Sequence, residues 1–167
     1  MKKLLLGLTL SSSLLLAACG GDDVADDATT DTTDDATEDV AQEGLQDGSY
    51  RIEELNFGGT GWKEALDITV ADGEITEANW ESVNEDGENK IDDDNYQETM
   101  TGTDGVGPQD FIPALEDALV DAQDPADVEV VSGATGTSEK FQDYAQQLVD
   151  AAEEGNTDTI EVDNAAE

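Results

Sequence analysis

The stretch "EALDITVADGEITEANWESV", Glu64 to Val83, decides the fold class. Leu66, Ile68 and Val70 alternate with polar neighbours, the two-residue period of a strand that buries one face. Asp72-Gly73 marks a tight turn, and Ile75 leads into a second strand carrying Trp80. Two such runs joined by Asp-Gly predict an antiparallel hairpin.

Working outward, "GSYRIEEL" sets Tyr50, Ile52 and Glu54 against Arg51 and Glu53 and reads as a further strand. Beyond the hairpin, "NEDGENKIDDDNYQETM" is polar and reads as a loop ending in a short helix or strand around Tyr96 to Met100. "TGTDGVG" reads as a glycine-rich loop. In the segment that follows, Phe111, Ile112, Leu115, Ala118, Leu119 and Ala122 recur at three and four, one face of a helix. Asp110 is its expected N-cap, Pro113 lies within its first turn, and Pro125 follows its end. "DVEVV" predicts a short buried strand. The last helix is expected from about Ser138 to Glu154, with Phe141, Tyr144, Ala145, Leu148, Val149 and Ala152 on one stripe and Gly155 ending it. Strands first, then a helix, a strand and a helix, predict a single small α+β domain over residues 47–154, with helices packed against an antiparallel sheet.

The flanks are of another kind. "MKKLLLGLTLSSSLLLAAC" has a basic start, an apolar stretch and small residues before Cys19, the layout of a secretory signal over residues 1–18. Leu16-Ala17-Ala18-Cys19 resembles the lipobox of bacterial lipoproteins, which implies a diacylglyceryl thioether on Cys19 and a lipid anchor in the cell membrane. Cys19 is the only cysteine of the chain, so no disulfide is available. Residues 19–46 contain Gly, Asp, Thr and Ala with little that is apolar, and read as a disordered acidic tether. Fully stretched, it would span roughly 90 Å. Residues 155–167 read as a flexible acidic tail in which "TIEV" is a candidate edge strand.

The chain has 6 basic and 43 acidic residues. Past the signal only Arg51, Lys63, Lys90 and Lys140 are basic, which excludes nucleic-acid binding. There is no histidine, so Ser/His/Asp and Cys/His catalysis are excluded and zinc lacks its usual ligands. "NEDGENKIDDDN" lacks the spacing of an EF-hand, and no Walker lysine follows "TGTDGVG". No catalytic or metal-ligating set is predicted.

One tract remains, "SGATGTS", Ser132 to Ser138. Its glycines permit a tight backbone, and Ser138 is placed to cap the helix that follows. That helix end favours an anion, for which Thr135 is well positioned. Chemistry alone leaves two readings open, a turn with redundant caps or an anion site.

Ser132-Gly133-Ala134-Thr135 resembles the S/T-G-A-T flavinylation motif of the FMN-binding domain family, and the similarity extends over nearly all of residues 47–154. The family includes subunits of membrane redox complexes and the lipid-anchored flavoproteins of Gram-positive extracellular electron transfer. The resemblance implies FMN joined to Thr135 by a phosphodiester, placed there by a flavin transferase that uses FAD. Ser132, Gly133 and Ala134 match the motif, and Thr137-Ser138 matches its usual extension. Three residues before the serine the family commonly has aspartate; here it is Glu129, the same carboxylate lengthened by a methylene. The implied role is electron carriage on the extracellular face, from a quinol-linked membrane donor to ferric iron, soluble flavin or another external acceptor, without transformation of a substrate. Three other readings are a non-redox binding or structural lipoprotein, a peptide-pheromone precursor and a subunit of a fixed membrane redox complex.

Overall fold

The computed structural model describes residues 44–165. The signal segment, Cys19 and nearly all of the tether lie outside the described residues.

The predicted hairpin forms. β1 (Gly48–Glu54), β2 (Lys63–Ala71) and β3 (Glu74–Val83) make an antiparallel meander. Asp72 and Gly73, between β2 and β3, both have positive φ, 56° and 78°, as a two-residue hairpin loop requires. One irregularity matters. Thr69 pairs with Glu77 but Val70 pairs with Ile75, so Thr76 is an extra residue on β3. Ile75 and Trp80 are five apart and would face opposite sides of a regular strand. The bulge turns both inward, where they are 1% and 2% exposed.

The inner face presents Tyr50, Ile52, Leu66, Ile68, Val70, Ile75 and Trp80. Two helices cover it, α2 (Pro108–Ala122) through Phe111, Ile112, Leu115 and Leu119, and α3 (Thr135–Glu154) through Phe141, Tyr144, Leu148 and Ala152. Burial of each large side chain stabilises by roughly 1.5–3 kcal/mol, so this single layer of contacts holds the domain together. The outer face is polar: Arg51 there bonds Glu53, Asp67 and Glu81. All four side chains are about one-third exposed, so these pairs contribute little.

The α+β expectation holds, with corrections. The sheet is mixed, in the order β3-β2-β1-β4, because β4 (Ile160–Val162) runs parallel to β1. The tail expected to be flexible therefore supplies an edge strand: Gly155, at φ 67°, ends α3 and the chain returns along β1. α1 (Asp94–Asp104) absorbs Thr101 to Asp104 of the expected glycine-rich loop and stops at Gly105, φ 84°. α2 starts at Pro108, before Asp110, whose carboxylate instead reaches back to the Gly107 N–H at 2.9 Å. Pro113 thus sits inside the helix, at its sixth residue, where one backbone bond is forgone.

"DVEVV" is not a strand. It is irregular, between a single 3-10 turn at Pro125–Asp127 and α3, and of the four residues after Asp127 only Val128 is fully buried. The place beside β1 is taken by β4, and along the β3 edge the N–H groups of Ile75 and Trp80 already donate to Gln123, just past α2, and to Glu116 within it.

Candidate functional site

α3 begins at Thr135, three residues earlier than its apolar stripe suggested. The expected cap, Ser138, is inside the helix and 0% exposed. Its Oγ donates to the Ala134 carbonyl (2.9 Å) and accepts the Val131 N–H (3.1 Å), tying the preceding segment onto the first turn.

The other helices have side chains at their N-termini. Asp93 accepts from the Tyr96 N–H in α1, and Asp110 accepts from Gly107 in α2. α3 has Ala134 at its cap and no side-chain capping bond. Among the described residues, the amides of Thr135, Gly136 and Thr137 meet no acceptor. Its first turn also holds no acidic residue, in a chain with 43 of them. Unpaired N–H groups and the helix dipole together make this end favourable to an anion.

The motif residues fall around that end. Thr135 is the first residue of α3 and exposed; Ser132 and Gly133 form an exposed turn, Ala134 is buried, and Thr137 is half-buried. Gly133 has φ 91°, and a Cβ there would lie 2.5 Å from the Asp104 carbonyl and 2.9 Å from Val106. Only glycine lets this turn close against the end of α1. Glu129 is exposed on the irregular segment before the turn. Cys19 is outside the described residues.

Sequence reasoning missed the buried charges beneath α3. Glu54 and Glu64 face the helices from the inner side of the sheet, 1% and 8% exposed. Lys140 Nζ lies 2.8 Å from each of them. Glu54 also accepts from the Tyr144 hydroxyl (3.0 Å) and the Glu64 N–H (2.9 Å). Lys90, 5% exposed, bonds Glu64 at 3.2 Å and lies 5.1 Å from the Trp62 ring and 5.7 Å from the Tyr96 ring. Burial opposes the charge on both lysines. At Lys90 it prevails and the ammonium titrates below its ordinary range, while at Lys140 the bonds to Glu54 and Glu64 outweigh it and raise the titration. The available signal was Glu54, which shares the alternation of Tyr50 and Ile52.

Comparison with known proteins decides the family. A model of the FMN-binding domain matches residues 59–150, more than half of the chain. The chain belongs to the FMN-binding domain family. The matched region runs from the β1–β2 connection through most of α3 and includes the whole Ser132–Ser138 tract. A "15 kDa lipoprotein" of Treponema pallidum (strain Nichols) is 31% identical over 114 residues, 68% of this chain and 81% of that protein. A crystal structure of a Clostridium perfringens protein superposes with a TM-score of 0.68 at 41% identity, covering 71% of this chain and 98% of that one. Among the described residues no helix is long and apolar enough to cross a membrane, and no group of three or more metal-binding side chains occurs.

Proposed function

We propose that this protein is a lipid-anchored flavoprotein of the cell membrane that carries electrons on FMN esterified to Thr135. The observation that carries the reading is the bare start of α3. An exposed threonine hydroxyl stands beside three amides that meet no acceptor among the described residues, in a helical first turn that holds no acidic side chain, unlike those of α1 and α2. A phosphodiester at Thr135 would bring negative charge to the helix end best prepared for it. Gly133 keeps the preceding turn close to α1 and so leaves Thr135 facing outward. These residues fit a phosphate-borne cofactor.

Threonine is a weak nucleophile and the chain has no histidine to activate it, so a separate flavin transferase using FAD supplies the modification. The isoalloxazine ring, once attached, supplies the redox chemistry; the protein tethers it, orients it and sets its electrostatic surroundings. The anchor is the lipid on Cys19, in keeping with the lipoprotein name of the Treponema relative. Two acyl chains suffice for stable attachment. The domain then passes electrons from a quinol-linked donor in the membrane to an external acceptor such as ferric iron or soluble flavin.

The test is reconstitution. The full chain, co-expressed with a flavin transferase and recovered in membranes, is expected to be reduced by a quinol-linked donor and reoxidised by ferric iron, with bleaching and recovery of the flavin absorbance. Thr135→Ala is expected to abolish both. A flavin-bearing wild type that neither bleaches nor recovers would overturn the electron-carrier role.

A further inference from the structure

Among the described residues, three large hydrophobic side chains are exposed: Leu55 (48%), Phe57 (43%) and Val130 (45%). Scattered singly they would need no explanation, but these three gather at one end of the domain. α3 runs antiparallel to β1. Its Lys140 meets Glu54 at the close of β1, and its Ala152 carbonyl accepts the Gln46 N–H just before β1 starts. The helix therefore begins at the end of the domain where the β1–β2 connection turns, and that connection carries Leu55 and Phe57. Val130 stands in the segment leading into α3, and its neighbour Val131 donates to Ser138 in the first turn. The exposed apolar side chains thus come from two segments that converge on the end of α3 bearing Thr135.

The β1–β2 connection is clamped. The Leu55 N–H donates to the Val162 carbonyl at 2.9 Å. Asn56 donates its N–H to buried Asn164 and accepts from the Asn164 amide, both at 2.9 Å, and its side chain donates to Asp163 at 3.0 Å. Past Phe57, the Gly58 N–H donates to the carbonyl of buried Trp62 (2.8 Å) and the Gly61 N–H to the Gly58 carbonyl (2.9 Å), closing a tight turn. A backbone fixed in this way loses little freedom when a partner covers it, which lowers the cost of docking. Leu55 and Phe57 also precede residue 59, where the match to the FMN-binding domain starts.

Charge limits what can cover them. Asp163 is bonded to Asn56, Glu161 lies in β4 beside it, and Glu139 is one turn into α3; all three are exposed. A second copy of a chain with net charge -37 would be repelled, and so would an anionic lipid surface. A protein face with an apolar hollow rimmed by lysine and arginine would be attracted. An enzyme that holds FAD has to offer positive charge to its pyrophosphate, so a flavin transferase has that chemistry next to its reacting centre.

We propose that Phe57, with Leu55 and Val130, docks the flavin transferase onto the end of the domain that presents Thr135. The inference rests on the proposal that Thr135 bears FMN. In the docked complex the Thr135 oxygen bonds to the phosphorus of the FMN half of FAD, the pyrophosphate P–O bond breaks, AMP leaves and the hydroxyl proton is released. The three apolar side chains touch no reacting atom; they set how tightly the chain is held. An interface of ordinary size, about 800 Å² on each partner, covers both them and the first turn of α3.

The experiment uses the full chain produced without flavin, then mixed with purified flavin transferase and FAD. Intact mass follows the transfer at a series of chain concentrations, which gives kcat and KM. Phe57→Ser is expected to raise KM by about tenfold with kcat within about twofold, and Leu55→Ser and Val130→Ser to raise it by about threefold each. Urea midpoints near wild type are expected for all three, because each side chain is already exposed. Glu161→Lys, on the acidic rim, is expected to raise KM more than Glu77→Lys, near the hairpin turn at the other end of the sheet. A wild type that is modified, with KM unchanged in the three serine variants, would overturn the docking surface and leave the role of Thr135 standing. A wild-type dimer in sedimentation that Phe57→Ser dissolves would assign the patch to a second copy and likewise overturn it. No transfer to the wild type would instead overturn the modification at Thr135, and the inference with it.

Discussion

Glu54→Ala is the perturbation with the most to say about how the site is held. The Glu54 carboxylate is 1% exposed and serves three donors: Lys140 at 2.8 Å, the Tyr144 hydroxyl at 3.0 Å and the Glu64 N–H at 2.9 Å. Its loss leaves the Glu64 N–H without an acceptor, which costs about 1–3 kcal/mol. Breaking a buried charge pair by removing one member costs about 3–5 kcal/mol. Lys140 keeps Glu64 as a partner and reaches solvent, so the lower part of that range applies. The terms overlap because both describe the same unsatisfied groups, and a total of about 3–4 kcal/mol follows. That is a large part of the roughly 5–15 kcal/mol available to a domain of this size. Urea unfolding followed by tryptophan fluorescence is a suitable assay, since Trp80 packs against Phe141 and Tyr144 in α3. With m of about 2 kcal/mol/M, the midpoint is expected to fall by about 1.5–2 M at unchanged m. A double-mutant cycle with Lys140→Met is expected to show strong coupling. A loss below about 1 kcal/mol, or additive effects, would refute the idea that Glu54 fixes Lys140.

Further outcomes follow from the same contacts. Thr135→Ala removes an exposed hydroxyl and is expected to change stability by less than about 0.5 kcal/mol, so a large drop in the urea midpoint would show a structural role for it. Gly133→Ala forces a Cβ to within 2.5 Å of the Asp104 carbonyl at a φ of 91°, and is expected to destabilise by about 2–4 kcal/mol; an unchanged midpoint would mean that the turn readily opens. Lys140 titrates higher in the fold than in the unfolded chain, so its contribution is complete below about pH 10.4 and is lost as pH rises through the folded value. Thermal melts between pH 8 and 11.5 are expected to show an alkaline decline that Lys140→Met flattens.

The parts of this fold that were legible in the sequence obey a local period. Leu66, Ile68 and Val70 declare a strand, Asp72-Gly73 declares its turn, and the stripes led by Phe111 and Phe141 declare α2 and α3. The errors came where a tertiary partner overrides the local signal. "DVEVV" has strand composition, but at β3 the N–H groups of Ile75 and Trp80 are already taken by Gln123 and Glu116, and the place beside β1 goes to β4. "TIEV", the candidate edge strand of the tail, does pair with β1 although its composition is weaker. Ser138 looks like a cap by type and spacing, yet the Ala134 carbonyl and Val131 N–H draw it into the helix and leave the cap bare. The Glu54–Lys140–Glu64–Lys90 network was hidden for another reason. In a chain so acidic, inward and solvated carboxylates look alike, and only the parity of Glu54 with Ile52 and of Glu64 with Leu66 sets the two apart.

The measurement that bears most directly on the central claim is the location of the modification. Wild-type protein co-expressed with a flavin transferase is denatured and cut with a glutamate-specific protease, which releases the peptide Val130–Glu139. Fragmentation of that peptide is expected to place a single flavin-phosphate increment on Thr135 and to leave Ser132, Thr137 and Ser138 unmodified. A peptide of unmodified mass, or an increment carried by one of those other hydroxyls, would contradict the account.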